Sequence, residues 1–566
     1  MCCARSSRSL LLGGDWFRYA IAMRERLDPH EPLLARRPPT VRELTRCPIL
    51  YFGVVLVAGL LFRAEHLDGR SYWFDEGFSW KLLTFPWPEM IARVARDNHG
   101  PLYFVLAKLW AGAFGDSARS LRSLSVLLGE FTILGMYLLA REAYRADRGG
   151  GSTSGDEAGR AERVGLLTAA LVAVSTFQIH WATEVRMYTL GTALAALSGW
   201  LLLQALFRPG FGFGRWAAYA LAVVLFAYTH PYALFSIAAQ AAFGFGYVAV
   251  RDGWRPAAVW RDARARGLLL SYLAALVLWS PWLPVLLHQR RQVEASFWLP
   301  PMSWWLMGKT AFQMFAPFQY TVPPVWVAAL AAAACAAAFA ALLWRAGPAD
   351  WFVFLSATGP VALSTALSFA QFNIFHRHYF IFAHLFFLAT IAVLVARVRP
   401  SPVRRAATAA VLLAFLGVYA VYARERAARA VVPGARAAAA FLDSRRAPGE
   451  PVVVCSLMLT PCLEGHARHA EGWHTYLPPE GYRHYEGTAV ARTGELVSEG
   501  DLRCLSGVRV WVVDVERWEK TAPTVPVLSS WVKIGEWRFP EVYGDGCEII
   551  VRAYATPPQR GRTEVD

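Results

Sequence analysis

The sequence predicts an α-helical polytopic membrane protein of about a dozen spans that ends in an extracytoplasmic α/β domain. Three observations carry this. Hydrophobic residues make up 55% of the 566-residue chain and aromatic residues 14%, and the mean hydropathy of +0.31 lies well outside that of an ordinary soluble domain. Apolar runs close to the about 17 to 25 residues that a bilayer-crossing helix needs follow one another as far as residue 423. Arginines gather in the short connectors between these runs and form no continuous basic face, so the formal charge of +15 reflects membrane topology and argues against nucleic acid as a partner.

Residues 1–48 read as a basic cytoplasmic tail, because they are Arg-rich and "LLLGG" is too short for the apolar core of a cleavable signal. Runs of spanning character follow at 49–63, 119–140, 164–181, 187–207, 216–230, 232–250, 267–287, 323–344, 351–371, 379–396 and 405–422. The further run "PLYFVLAKLWAGAFG" at 101–115 is expected to lie in the outer interface. The Arg-rich connectors 141–163, 251–266 and 397–405 can all be cytoplasmic only if it does not cross, and Lys108, Tyr103, Phe104, Trp110 and Phe114 suit that depth. Residues 49–423 then form one transmembrane domain with a first external loop at 64–118. The polar clusters at 180–188, 229–232, 288–310 and 371–378 share its external face. Glu130 is an exception within the spans, expected to pair inside the bundle or to face a cavity. "DRGGGSTSGDEAGR" at 147–160 has the composition of a flexible cytoplasmic linker.

Beyond residue 423 the pattern changes. "ARAAAAFLDSRR" reads as a helix and "EPVVVCSLM", "VRVWVVDVE" and "GCEIIVRAY" as strands, so 424–566 is expected to be a compact external domain. Its Cys455, Cys462, Cys504 and Cys547 are expected to be at least partly paired in an oxidising compartment. No CxxC pair or His/Cys spacing indicates a metal site.

Chemistry concentrates in the external clusters. "SYWFDEGFSW" places Asp75 and Glu76 side by side among aromatics at headgroup depth, which suits a proton acceptor and equally suits acids at the start of a surface helix. "RDNHGPLYF" adds Asp97 and His99 before a Gly-Pro break that also fits an ordinary helix-start turn. In "HWATEVRMYTL" the spacing of Glu184 and Arg186 does not suit a helix-surface pair, which leaves Arg186 to face an anion, with Tyr188 entering the next span. "YTHPYALF" puts His230 at another external end, more suited to shaping a pocket than to reacting. "FNIFHRHYFIFAH" brings His376, Arg377 and His378, with Tyr379 beside them, to another external end, where the guanidinium can serve a phosphate or simply snorkel.

"SYWFDEGFSW", "DNHGPLYFVLAKLWAGAFGDSARSLRSLS", "ATEVRMYTL" and "HRHYF", in this order, resemble the GT-C membrane glycosyltransferases of the protein O-mannosyltransferase and aminoarabinose-transferase group, often called family 39. The likeness is strong over 70–190, weaker near 230 and 377, and absent from the tail. It implies a GT-C fold in a bacterial inner membrane and a polyprenyl-phosphate-linked sugar as donor, a substrate and not a cofactor, with membrane lipids around it. The acceptor would be a hydroxyl on a glycan, lipid or protein. It further implies Asp75 as general base with Glu76 beside it, Asp97 and His99 as a second loop motif, and Arg186 and Arg377 as contacts to the donor phosphate. With no second carboxylate placed as a covalent nucleophile, inversion at the anomeric carbon is expected, and a divalent metal stays open. One departure is His99-Gly100-Pro101 where the family has His-Pro-Pro, which is expected to loosen that turn. The competing reading is a multi-pass lipid or solute transporter. It predicts ionisable groups and broken helices near the bilayer midplane, whereas the polar motifs here collect at one face.

Overall fold

The computed structural model describes residues 48–146, 155–208, 212–296, 298–318, 320–517, 522–542 and 546–557. The basic tail lies outside them apart from Pro48, as does the first half of the Gly/Ser linker. Its second half belongs to a helix that begins at Gly155.

Among the described residues, eight helical stretches are long and apolar enough to cross a bilayer: Ala118–Arg145, Tyr188–Phe207, Ala233–Arg251, Ala263–Ala295, Val325–Leu343, Pro348–Ala370, Arg377–Arg397 and Ser401–Arg445. They account for all but three of the apolar runs. The other three runs, 49–63, 164–181 and 216–230, are helical at Pro48–Ala64 (α1), Gly155–Val174 and Phe213–Ala227, and fall below that measure through length or a charged first half. The last span overshoots expectation. Helix Ser401–Ala430 runs unbroken past residue 423, so the chain turns only at Val431–Pro433.

Between α1 and the next long helix, three short helices build the first loop: α2 (Phe74–Leu83), α3 (Trp87–Arg96) and α4 (Leu102–Phe114). At 13 residues α4 is too short to span, in keeping with an interfacial position. Its Tyr103 and Phe104 are nevertheless buried against protein, and Lys108 donates to the Leu83 and Phe85 carbonyls at 2.6 and 2.7 Å, satisfying groups at the end of α2. The turn at Gly100 is not loose. Leu102 N–H donates to the Tyr228 carbonyl at 3.2 Å, and a Cβ on Gly100 would stand 2.2 Å from that oxygen, so only glycine permits the approach.

The long helix Ala118–Ala146 (α5) packs against Gly155–Val174 (α6) and Tyr188–Phe207 (α8). The expected span 164–181 is broken into α6 and the short α7 (Thr176–Trp181), with Ser175 between them. Arg63, at the end of α1 and 1% exposed, holds the end of α6. It donates to the carbonyls of Val172 and Ala173 at 3.0 Å each and of Gly59 at 3.1 Å. Glu130 faces this arginine inside the bundle, where its charge opposes that of the guanidinium.

The C-terminal domain is a six-stranded sheet in the order β3-β2-β1-β4-β6-β5, made of Val452–Val454 (β1), Trp473–Tyr476 (β2), Leu496–Val497 (β3), Arg509–Glu516 (β4), Val532–Pro540 (β5) and Glu548–Ala555 (β6). β3, β2, β1 and β4 run parallel, and β6 and β5 are antiparallel additions. The expected helix is present at Gly434–Arg445, and its Phe441 packs on Trp511, Trp537 and Phe539. Contrary to expectation, Cys455, Cys462, Cys504 and Cys547 are all unpaired. Cys504 is exposed on its own helix turn, while the Cys462 thiol is buried and donates to the Met458 carbonyl at 3.3 Å.

This domain is fastened onto α2. A Cβ on Gly77 would meet the Cys462 nitrogen at 2.9 Å, so α2 and the short helix Thr460–Glu464 touch backbone to backbone. Lys81, 2% exposed, reaches Glu464 at 2.8 Å and Glu495 at 2.9 Å, and Tyr72 N–H donates to His466 Nε2 at 3.0 Å.

Candidate active site

Asp75 and Glu76 both fall in the first turn of α2, where the helix dipole favours acids, but consecutive helical positions point about 100° apart and the two carboxylates have different surroundings. Glu76 is turned inward and fully buried. Arg122 of α5 grips it with two parallel bonds, Nε to Oε1 at 2.8 Å and Nη2 to Oε2 at 2.6 Å, and Val185 N–H donates to Oε1 at 3.1 Å. The same guanidinium donates to the carbonyls of Leu67, Arg70 and Ser71, so the approach to α2 is tied down along its length. Burial pushes the Glu76 carboxyl up, but Arg122 and Arg70 outweigh it and hold the group below its ordinary range. Glu184 shares Arg70 at 2.6 Å and accepts from the Trp73 indole; burial pushes it up despite the arginine.

Asp75 is turned the other way. Its side chain is 21% exposed and lines a cavity of about 700 Å³ together with Asp97, His99, Arg186, Tyr188, His230, Arg377 and Tyr379. Eight of the ten residues singled out from the sequence therefore face one cavity. The other two, Glu76 and Glu184, do not reach it and belong to the buried network behind it. Both oxygens of Glu76 are occupied by Arg122 and the Val185 amide, which suits a residue that supports its neighbour and does not suit a reacting group.

Arg186 is the hub of the cavity wall. Its Nε lies 3.5 Å from Asp75 Oδ2, and its Nη2 donates to His99 Nε2 at 2.6 Å. Burial and the charge of Arg186 hold the His99 imidazole well below its ordinary pKa, so the ring is neutral and its Nε2 can accept. Asp97 Oδ2 stands 3.3 Å from the same nitrogen, and burial pushes this carboxyl from 3.8 up to about 6 against the pull of Arg186. His230 accepts from Tyr232 N–H through Nδ1 at 3.1 Å and rests against Tyr379, which makes it part of the wall. Arg377 lies over the Tyr320 ring at 4.5 Å.

Several participants escaped the sequence reading. Arg122 lies 46 residues from its carboxylate, and no periodicity links them. Arg70, by contrast, directly precedes "SYWFDEGFSW" and could have been paired with the acids. Tyr320, Trp181, Tyr485 and Gly487 also line the cavity, the last two from the C-terminal domain.

No family model matches the chain, and no curated protein matches it. Among solved structures, ArnT from Cupriavidus metallidurans bound to undecaprenyl phosphate aligns over 89% of this chain and 97% of its own, with a TM-score of 0.57 at 14% identity. Its apo form aligns over the same shares with a TM-score of 0.55 at 15% identity. The chain has the fold of ArnT. This is the GT-C type of membrane fold expected from the sequence, with the small mixed sheet at its end, while the finer placing in family 39 finds no matching model.

Two outcomes follow from this geometry. Glu76→Gln leaves Arg122 buried without a charge partner, so unfolding in detergent should become easier by about 3 to 5 kcal/mol; unchanged thermal and denaturant unfolding would make the pair dispensable. Asp97 binds its proton more tightly folded than unfolded, so its contribution to stability is full below pH 3.8 and is lost as pH rises through about 6, a loss of about 3 kcal/mol. Asp97→Asn should remove that part of the decline in a series of unfolding curves across this range, and identical pH slopes for parent and variant would contradict it.

Proposed function

We propose that the protein is a membrane glycosyltransferase that moves a sugar from a polyprenyl-phosphate donor to a hydroxyl acceptor at the external face of a bacterial inner membrane. The observation that carries this reading is the convergence of Asp75, Arg186 and Arg377 on one cavity at the ends of apolar helices. The ArnT fold, solved with undecaprenyl phosphate bound to that protein, supports it.

In this reading Asp75 takes the proton of the acceptor hydroxyl as its oxygen attacks the anomeric carbon. The carbon–oxygen bond to the donor phosphate breaks, and the lipid phosphate leaves with the bonding pair. Arg186 and Arg377 supply the positive charge that the departing phosphate needs, already in place before reaction. Arg186 Nε stands 3.5 Å from Asp75, so a phosphate bound at Arg186 would lie beside the carboxylate that takes the proton. A single displacement of this kind inverts the anomeric centre. Glu76 acts through position, by holding the first turn of α2 against Arg122.

Asp75→Asn keeps shape and most hydrogen bonding but cannot take the proton. Purified protein should still bind undecaprenyl phosphate, read by tryptophan fluorescence, while transfer from a polyprenyl-phosphate sugar to cell-envelope fractions falls by about 100-fold or more. Near-normal turnover would remove Asp75 from the chemistry, and absence of transfer by the parent protein would favour transport. Arg377→Ala should cost about 2 to 4 kcal/mol of transition-state stabilisation, seen in a donor titration, with Arg377→Lys recovering only part because it lacks the planar fork. A donor titration indifferent to both changes would place the phosphate elsewhere.

A further inference from the structure

We propose that the 481–487 loop of the C-terminal domain, "GYRHYEG", selects the acceptor, with the ring of Tyr485 as its contact; this rests on the transferase reading above. Tyr485 and Gly487 line the cavity that holds Asp75, and every other lining residue precedes residue 380. Among the described residues, the C-terminal domain thus contributes to this cavity a neutral aromatic and a glycine, and no cation.

That difference in chemistry assigns the role. A lipid phosphate needs positive charge, which Arg186 and Arg377 of the helical part provide. The polyprenyl tail needs apolar surface at the membrane, which a domain built on a sheet outside the spans does not offer. An uncharged aromatic face suits packing against a non-reacting, neutral part of the second substrate, which must come to Asp75 from the aqueous side.

The loop is built to hold that ring still. It is bounded by Gly481 at φ +72° and Gly487 at φ +95°, both in the left-handed region that side chains avoid. Tyr482 roots it in the sheet, donating to the carbonyls of Tyr476 at 2.5 Å and Cys455 at 3.2 Å. Across the cavity rim, His484 Nδ1 meets the Ser296 hydroxyl at 3.2 Å. Arg93 of α3 donates to the carbonyls of Ala489 and Ala491 at 2.8 and 2.9 Å just beyond the loop. Gly487 packs beside Phe74, where an added Cβ would stand 3.5 Å from the ring of the residue that precedes Asp75. Tyr485 itself is half-buried, and its hydroxyl accepts from the exposed Arg483 at 2.9 Å.

The test uses the full chain in lipid nanodiscs with radiolabelled undecaprenyl-phosphate hexoses and pentoses as donors and a dispersed envelope fraction, titrated by mass, as acceptor. Tyr485→Ala should raise the half-saturating amount of acceptor by about 10-fold, leave half-saturating donor within about twofold, and spare slow donor hydrolysis by water. Tyr485→Phe should keep the parent value, because the ring and not the hydroxyl makes the contact. An unchanged acceptor titration for Tyr485→Ala, or a parallel rise for donor, overturns the assignment while the transferase reading stands. If the parent protein binds undecaprenyl phosphate yet transfers nothing from any donor, both fall together.

Discussion

The site depends on the buried pair between Glu76 and Arg122. A carboxylate withdrawn entirely from water is costly unless its partner is charged and well aligned, and here two parallel bonds from a guanidinium meet that demand. The pair joins α2 to α5, and the remaining Arg122 donors fix the carbonyls of the segment leading into α2. Because Asp75 is the preceding residue in the same helical turn, locking Glu76 inward leaves Asp75 turned toward the cavity. Two adjacent acids thus have unequal surroundings, one holding the helix and one facing the cavity.

A second layer of constraint comes from the other side of α2. Gly77 lets the backbone of the C-terminal domain touch the helix, and Lys81 neutralises two carboxylates of that domain out of water. A ten-residue helix is marginal by itself, so its orientation comes from these contacts with α5 and the sheet domain. The cavity is therefore a joint product of the helical bundle and the domain that follows it.

Much of this was legible in the sequence because the membrane imposes strong patterns. The apolar runs of spanning character are helical, that at 164–181 in two pieces, and the motifs around Asp75, Asp97, Arg186, His230 and Arg377, scattered over about three hundred residues of chain, line one cavity. Less legible were features set by tertiary contact. Glu76 and Asp75 look alike in sequence, and only the distant Arg122 tells them apart. The short strands Trp473–Tyr476 and Leu496–Val497 carry too few residues to show a period, and Val532–Pro540 is an edge strand with a largely exposed pattern, so the burial signal that marked its neighbours is missing. The break at Ser175 lies inside a run that reads as continuously apolar, since nothing local reveals that Arg63 waits to satisfy its carbonyls.

That arginine also bears on the site. A guanidinium on the first span is a poor passenger in lipid, and its carbonyl partners on α6 emerge 109 residues later. Arg63 sits one residue from the end of α1, where a lone arginine reaches the headgroups along its own stem; in the folded chain it turns inward instead, to the carbonyls of α6. Once the two meet, the same bonds close the end of α6 and let the chain turn into the segment that carries Trp181, Glu184 and Arg186. Loss of this one side chain would therefore reach the site from a distance, by freeing the carbonyls at the end of α6 from which that segment starts.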